Sequence, residues 1–503
     1  MKIQDTMRSK SPWTVRRPDP LMAGLLSIAI VAFLVAFAQP FAPALSPMGH
    51  EVLAAVLVAL GMWVFRPGNL PYLAGSATIM ALTIGIFFAG RAGLVNPVTA
   101  KAYSSPELLA EVVSGFASSS LWTLVPALYF GFALQKTGLG KRIAYLVLRS
   151  FPPSWASLAL SWMLIGTALS ALTPSVTVRV AIMLPIAIGI VEACKLEYRS
   201  KGSAYICLLA LGMAVFPGTA LMTGTLAGPI LQGFFPAELK AQANFGDWVR
   251  ILALPWIVVT LVYALLAFLL ARPKEAIGIS RDVFRKEYRK LGKPGRDELV
   301  VLAVLAAALL MFATEPFHRI PVPASALGAL LFLVLAGIIK GPEISSGINW
   351  DVVVFFGVAI ALPGIFRVSG ISSWLGPIVD GPILGLAGSP LSFMLIITIG
   401  LLLIRFADVP WGYVTLALTV FLLVPLSRDF GYHPLVVSMA YLAAINFFML
   451  AYQQPWVLMS EGMVAGRGWS PSGLAFFGGI YVCSVIAGIL VAIPYWRAIG
   501  VIR

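Results

Sequence analysis

The chain consists of long apolar segments separated by short polar ones over almost its whole length. Apolar runs recur from Leu21 to Arg503, and each is long enough to cross about 30 Å of hydrocarbon as a helix. Hydrophobic residues make up 59% of the sequence and charged residues 11%. This pattern predicts an all-α polytopic membrane protein with about 11 transmembrane segments.

Polar and helix-breaking residues interrupt several apolar segments near their middle. The clearest interruption lies within Ser170 to Glu192, where Thr173, Pro174 and Ser175 divide an otherwise apolar run. Unpaired backbone in hydrocarbon costs several kcal/mol per group, so such a break is expected inside protein or beside a polar cavity. Three further interruptions are expected at Gly218 to Thr225, Ala407 to Gly412 and Gln453 to Ser460.

One hydrophilic segment, Arg272 to Glu298, separates two halves that follow the same order of units. Each half contains a stretch that we predict to be a re-entrant hairpin, Leu121 to Arg142 and Asn349 to Ser372. An odd number of crossings in the second half would invert its topology, as in transporters built from inverted repeats with broken helices. The predicted organisation is residues 1–50 as cytoplasmic N-terminus and first helix, 51–271 as first repeat, 272–298 as connector and 299–503 as second repeat.

The basic residues of the chain act as topology signals. The net charge is +14, but the basic residues lie between apolar segments, and nine of them fall in Arg272 to Glu298. The positive-inside rule therefore predicts that this segment and the N-terminus lie in the cytoplasm. The expected location of the protein is the inner (plasma) membrane. The bilayer is the expected partner of the apolar segments, and no nucleic-acid partner is expected.

Helix breaks that face each other favour an anionic ligand, because helix N-termini carry free N–H groups and partial positive charge. Arg179 and Arg405 lie beside two of the breaks, and an arginine fork binds a carboxylate in bidentate fashion. Each arginine could instead pair structurally with Asp408, which could itself bind a cation or carry a proton. The predicted substrate-binding residues are Thr173, Pro174, Ser175, Val176, Thr177, Arg179, Thr223, Gly224, Thr225, Arg405, Trp411, Gly412, Thr415, Gln453 and Gln454. The predicted coupling-ion residues are Asp408, Ser175 and Thr219.

Motifs of an enzyme are missing from the sequence. It contains three histidines and three cysteines, without the spacing of a metal site or a disulfide framework. It has no nucleophile elbow and no nucleotide-binding loop. We therefore expect a protein that is not an enzyme and has no metal site and no cofactor, apart from Na⁺ or H⁺ as a coupling ion.

Several motifs resemble those of the divalent anion/sodium symporter family. T-P-S-V-T-V-R-V-A-I-M-L-P-I, Thr173 to Ile186, looks like the first signature of that family in the T-P-S-N-T-A-R form of its dicarboxylate and citrate exchanger branch. Ala127 to Ala144 looks like its first hairpin, and Leu221 to Pro229 resembles its L-T-G-M-A-P-N-P element. Val176 stands where the family motif has asparagine. The resemblance implies a homodimer that works by an elevator mechanism.

These observations predict a secondary active transporter that moves a small organic anion, a di- or tricarboxylate, across the cytoplasmic membrane. Resemblance to the exchanger branch favours sodium-independent exchange or proton coupling. One alternative is a sodium-coupled symporter of sulfate or sulfonate anions. Another is a cation/proton antiporter that uses Asp408.

Overall fold

The structure of the chain is a computed structural model. It describes residues 20–90, 94–96, 99–235, 237–240, 242–274, 277–386, 389–407, 412, 419, 422–423, 426–427 and 430–502. Helices account for the regular structure of these ranges, and their single β-bridge joins Val95 to Ala102. The prediction of an all-α fold is confirmed.

Ten segments in the described part of the chain are long and apolar enough to cross a membrane. Three shorter apolar helices accompany them, which is consistent with the predicted number of about 11 crossings. The helices of the first half are α1 (Pro20–Ala38), α2 (Pro47–Phe65), α3 (Tyr72–Gly90), α4 (Ser105–Val113), α5 (Ser119–Thr137), α6 (Leu139–Leu148), α7 (Trp155–Leu172), α8 (Val176–Ala193), α9 (Lys201–Met213), α10 (Phe216–Thr219), α11 (Ala227–Phe234), α12 (Ala237–Lys240) and α13 (Phe245–Ala271).

The connector contains one amphipathic helix, and the second half repeats the pattern of long, short and broken helices. These elements are α14 (Arg281–Lys290), α15 (Arg296–Ala313), α16 (Glu315–His318), α17 (Val322–Leu335), α18 (Gly341–Ser346), α19 (Trp350–Val368), α20 (Ile371–Leu386), α21 (Pro390–Ile404), α22 (Pro434–Ile445), α23 (Pro455–Val464) and α24 (Pro471–Ala498).

Short polar side chains set many helix starts. Ser154, for example, accepts a hydrogen bond from the backbone N–H of Ser157 and so caps the first turn of α7. Capping of this kind satisfies N–H groups that have no partner within the helix. The same type of cap is provided by Ser46, Ser104, Ser118, Ser175, Ser200, Asn244, Ser280, Asn349 and Ser470.

Each of the two stretches predicted as re-entrant hairpins forms a pair of helices. Leu121 to Arg142 belongs to α5 and α6, and α5 runs without a break through Pro126 and Gly131. Asn349 to Ser372 likewise belongs to α19 and α20, and α19 continues through Pro363. Neighbouring helices and local adjustment allow proline inside membrane helices, so a proline in an apolar run does not by itself end the helix. Each pair of helices is instead joined at a glycine with positive φ, Gly138 between α5 and α6 and Gly370 between α19 and α20.

The broken helices surround the most buried part of the molecule. The span that contains α9 and α10 is buried throughout residues 202–219, and α9 packs against α7, α8 and α13. In the first half, α7 and α8 meet at one break and α9 and α11 at another. In the second half, α22 and α23 repeat the second of these arrangements.

Candidate functional site

The first break separates α7 from α8 at Thr173, Pro174 and Ser175. Thr173 has extended backbone, as expected for a residue that precedes proline. The Ser175 N–H donates to Thr173 Oγ1 at 3.2 Å, and Ser175 Oγ accepts from the Val178 N–H at 3.4 Å. The hydroxyls of Ser175 and Thr177 are 3.0 Å apart. The break is therefore stabilised by its own side chains. Helix α8 begins directly after it, at Val176.

The second break runs from Ala214 to Leu226 and depends on two glycines. A Cβ atom on Gly218 would lie 2.4 Å from the carbonyl oxygen of Gly224. A Cβ atom on Gly224 would lie 2.3 Å from the carbonyl oxygen of Gly218. Only glycine permits this backbone approach, and it brings Thr225 to the N-terminus of α11.

The corresponding break of the second half lies between Ile445 and Pro455 and is held by two glutamines. Gln453 Oε1 accepts from the backbone N–H groups of Met449 and Leu450, at 2.7 and 2.8 Å. Gln454 Nε2 donates to the carbonyl oxygens of Ile445 and Phe447, at 2.6 and 2.8 Å. Because these amides satisfy buried backbone groups, the loop can remain irregular inside the protein.

A hydrogen bond joins the breaks of the two halves. Asn446 Nδ2 donates to Thr219 Oγ1 over 2.9 Å, and both side chains are buried. The carbonyl oxygen of Thr219 also accepts from Trp248 Nε1 at 3.2 Å. Thr219, predicted as a coupling-ion residue, thus connects the second break of each half.

Three helix N-termini meet at a cavity of about 210 Å³. It is lined by the first residues of α8, α11 and α23, together with the residues that directly precede each of these helices. Helix N-termini present unpaired N–H groups and the positive end of the helix dipole, so together they favour an anion. These lining residues are Ser175, Val176, Thr177, Thr225, Leu226, Ala227, Gln454, Pro455 and Trp456.

The remaining wall of the cavity is mostly apolar. Asn349, the N-cap of α19, and Asn446, the C-cap of α22, add two amides. Neither lysine nor arginine lines the cavity among the residues that the structure describes. Any positive potential in this cavity therefore comes from the dipoles of the backbone and of the two side-chain amides. The other lining residues are Leu128, Ile230, Val352, Phe356, Tyr441 and Ile445.

Arg179 lies on α8 but directs its guanidinium to the backbone of the breaks. Its side chain is 0% exposed. Nη1 donates to the carbonyl oxygens of Thr173 and Gly224, each at 2.6 Å, and Nε donates to that of Ala214, also at 2.6 Å. Arg179 is not among the lining residues of the cavity. Its contacts join the first break to both ends of the second.

Arg405 has a related arrangement in the second half. It follows α21, is 0% exposed, and its Nη2 donates to the carbonyl oxygen of Gln453 at 2.6 Å. Gln453 Nε2 donates in return to the carbonyl oxygen of Arg405 at 3.3 Å. Each half thus has a buried arginine that is hydrogen-bonded to the backbone of the break before α11 or α23.

The cavity brings together five of the predicted substrate-binding residues, namely Ser175, Val176, Thr177, Thr225 and Gln454. Thr173, Pro174 and Thr223 line a small neighbouring cavity of about 10 Å³. Gly224, Arg179, Arg405 and Gln453 support the breaks without lining the larger cavity. Gly412 is buried with a φ of 70°. Asp408, Trp411 and Thr415 lie outside the described residues.

Twelve lining residues are not among the predicted site residues, and four of these carry a polar side-chain atom, namely Asn349, Tyr441, Asn446 and Trp456. Asn446 is a lone amide in the apolar run before the Gln453 break, and this polarity was the available signal. Tyr441 and Trp456 resemble ordinary core residues, and Asn349 resembles an ordinary helix cap. In the part of the chain that the structure covers, no three His, Cys, Asp or Glu side chains are grouped as metal ligands.

Three relatives among known proteins are transporters by name. The sodium-dependent dicarboxylate transporter SdcS of Staphylococcus saprophyticus is 25% identical over 458 residues, 83% of this chain and 85% of the relative. An L-tartrate/succinate antiporter of Escherichia coli is 25% identical over 355 residues, 68% of this chain and 71% of the relative. Dicarboxylate transporter 1 of the Arabidopsis thaliana chloroplast is 24% identical over 377 residues, 73% of this chain, and the match spans 63% of that relative.

A solved structure shares the fold. The YdaH transporter of Alcanivorax borkumensis, described as having an unusual topology, aligns with a TM-score of 0.56 over 84% of this chain and 98% of its own, at 14% identity. The family model described as the sodium:sulfate symporter transmembrane region matches residues 22–502. The chain therefore belongs to this family of divalent anion/sodium symporters, which its sequence motifs resemble.

Proposed function

We propose that this protein is a secondary active transporter for small organic anions, with di- and tricarboxylates as the preferred class. The observation that carries the proposal is the convergence of α8, α11 and α23 on one cavity. Two of these N-termini belong to the first half and one to the second, so the carboxylates of one substrate can contact different helices. The names of the related dicarboxylate transporters support the same class.

The position of Arg179 supports transport without sodium. Three carbonyl oxygens at the two breaks accept hydrogen bonds from this guanidinium. Backbone carbonyls of this kind could otherwise coordinate a metal cation. Here they accept hydrogen bonds from the positively charged guanidinium of Arg179 instead. Val176 also removes the amide that the family motif has beside Ser175. We therefore favour exchange of one anion for another, or coupling to protons.

The related proteins support two kinds of coupling. SdcS is named as sodium-dependent, and the L-tartrate/succinate protein is named as an antiporter. Sodium-coupled uptake of sulfate or sulfonates remains the alternative that the family description favours. Alternating access by an elevator movement within a homodimer belongs to the proposal through the family resemblance.

Uptake into proteoliposomes tests the proposal. Vesicles loaded with an unlabelled carboxylate should take up labelled di- or tricarboxylates saturably, at the same rate when choline replaces external sodium. Absence of saturable uptake across carboxylates, sulfonates and sulfate would refute anion transport. Strict dependence on sodium would refute the coupling assignment and leave the substrate assignment standing.

A matched pair of variants locates the site. Thr177→Val removes a hydroxyl at the α8 N-terminus and should raise KM roughly tenfold or more, because a hydrogen bond to a charged ligand is lost. Thr167→Val on α7 is the control, since Thr167 is exposed and its hydroxyl donates to the Met163 carbonyl oxygen. Equal KM values for both variants would place the substrate elsewhere.

A further inference from the structure

A second cavity, of about 570 Å³, lies where several long helices end. It is bounded by Thr137 at the end of α5, by Gly337 and Ile338 after α17, and by the segment from Lys293 into the first turn of α15. It shares no lining residue with the cavity between the helix breaks. The positive-inside rule predicts that this end of the molecule faces the cytoplasm.

Positive charge dominates the lining of this second cavity. Two acidic residues, Asp297 and Glu298, contribute to it. The cationic lining residues are Lys136, Arg142, Lys293, Arg296 and Lys340. Five cations against two carboxylates make it a candidate site for an anion.

Two of the five cations form the framework of the cavity. Arg142 is buried; its Nε donates to Glu298 Oε2 at 2.8 Å, and Nη1 and Nη2 donate to the carbonyl oxygens of Gly292 and Leu291 at 2.9 and 3.0 Å. Lys136 Nζ lies 2.6 Å from a carboxylate oxygen of Glu343 and 2.7 Å from the Ile338 carbonyl oxygen. These contacts fix the connector and the end of α17 against α5 and α6.

The other three cations are available to a ligand. Within the described ranges, Lys293, Arg296 and Lys340 have no ion pair at 4 Å or less. All three are exposed. Three cationic side chains around one preformed cavity provide several donors for a phosphate group.

An apolar surface adjoins the cavity. Leu299 follows the lining residue Glu298 in α15 and is 54% exposed, while Phe332 and Leu335 near the end of α17 are 65% and 73% exposed. These two helices pack together. A free phosphate ion would leave this surface uncovered, whereas acyl chains would cover it.

We propose that the second cavity binds the phosphate group of an anionic phospholipid, whose acyl chains lie along the exposed faces of α15 and α17. Basic pockets between membrane helices on the cytoplasmic side are suited to such headgroups. The bound lipid contacts α5 from the first half and α15 and α17 from the second. It therefore stabilises the folded chain by linking its halves, independently of which substrate is transported.

Titration of the purified full chain in neutral detergent with short-chain phosphatidylglycerol tests this site. The variant Lys293→Gln/Arg296→Gln/Lys340→Gln should weaken binding on the order of 100-fold, since each basic side chain near a lipid headgroup contributes comparably. The control Arg285→Gln/Lys286→Gln/Arg289→Gln removes equal charge from exposed positions of α14 and should bind within about threefold of the wild type if pocket contacts dominate over general charge attraction.

Thermal unfolding in neutral detergent without added lipid checks that both variants are folded like the wild type. Equal loss of phosphatidylglycerol binding in the two variants, or no loss in either, would overturn the proposal. Inorganic phosphate provides the second arm and should give no comparable stabilisation. If it stabilises the wild type as much as phosphatidylglycerol does, and the cavity variant loses both effects, the site is one for soluble phosphate and the lipid assignment is wrong.

Discussion

Replacement of Arg179 by methionine distinguishes a structural arginine from a substrate-binding one. Methionine keeps an unbranched apolar side chain but removes the donors to Thr173, Gly224 and Ala214. Each buried carbonyl left without a donor costs about 1–3 kcal/mol, so three of them cost on the order of 3–9 kcal/mol. Release of a buried charge offsets part of this cost. We expect a net destabilisation of about 3 kcal/mol.

The assay is thermal unfolding in detergent combined with uptake by reconstituted protein. Arg179→Met should lower Tm on the order of 3 °C and reduce uptake in parallel, because the breaks that form the cavity lose their common support. Arg179→Lys should rescue only part of both losses, since one compact ammonium group cannot reproduce the guanidinium fork. Arg199→Met is the control, because the Nε of Arg199 donates to a single carbonyl oxygen, that of Gly466, at an exposed position.

One result would refute this reasoning. If Arg179→Met unfolds at the wild-type temperature and its defect is confined to a raised KM, the guanidinium binds substrate and the carbonyl contacts contribute little. A raised KM accompanied by a large loss of stability would instead agree with a structural role, because the cavity is built from the same breaks.

Three further predictions concern other parts of the structure. Gly218→Ala should abolish uptake, because its Cβ would lie 2.4 Å from a backbone carbonyl oxygen, whereas Gly189→Ala, with nothing within 4 Å, should leave uptake unchanged. A double-mutant cycle of Thr219→Val with Asn446→Leu should give a coupling energy of about 1 kcal/mol in thermal unfolding, and a value near zero would contradict the hydrogen bond. The hydrogen bond from Lys136 holds the pKa of Glu343 below its ordinary 4.5. The Lys136–Glu343 pair therefore stabilises the folded protein fully above that pH, and this stabilisation is lost as pH falls through the lowered pKa. Tm should therefore fall more for the wild type than for Glu343→Gln between about pH 5 and about pH 3, and parallel curves would contradict this.

The sequence predicted the helical class and the location of three breaks, because both depend on local properties, while the break predicted at Ala407 to Gly412 falls mainly outside the described residues. A run of apolar residues predicts a membrane helix, and Pro174 with its polar neighbours predicts a break. Of the helix breakers predicted in the first hairpin, Gly138 ends α5, whereas Pro126 and Gly131 lie inside that unbroken helix. Whether a membrane helix breaks at proline depends on its neighbours in space, and the sequence does not give these.

Side-chain direction limited the prediction of the site. Arg179 follows the first break, and this position alone is compatible with a substrate clamp or with a structural contact. Its direction toward three carbonyl oxygens becomes visible only when the second break is placed beside the first. Asn446 was missed for the same reason, because its partner Thr219 lies 227 residues away in the chain.

The hydrogen bonds between the breaks restrict the motions that can expose the cavity. Arg179 joins the two breaks of the first half, Arg405 bonds to Gln453 in the second, and Thr219 with Asn446 connects one half to the other. A motion that opened the cavity by separating α11 from α23 would strain or break buried hydrogen bonds. A displacement of all these loops together breaks none of them. The proposed elevator movement would therefore carry these loops together, as one rigid body, past the surrounding helices.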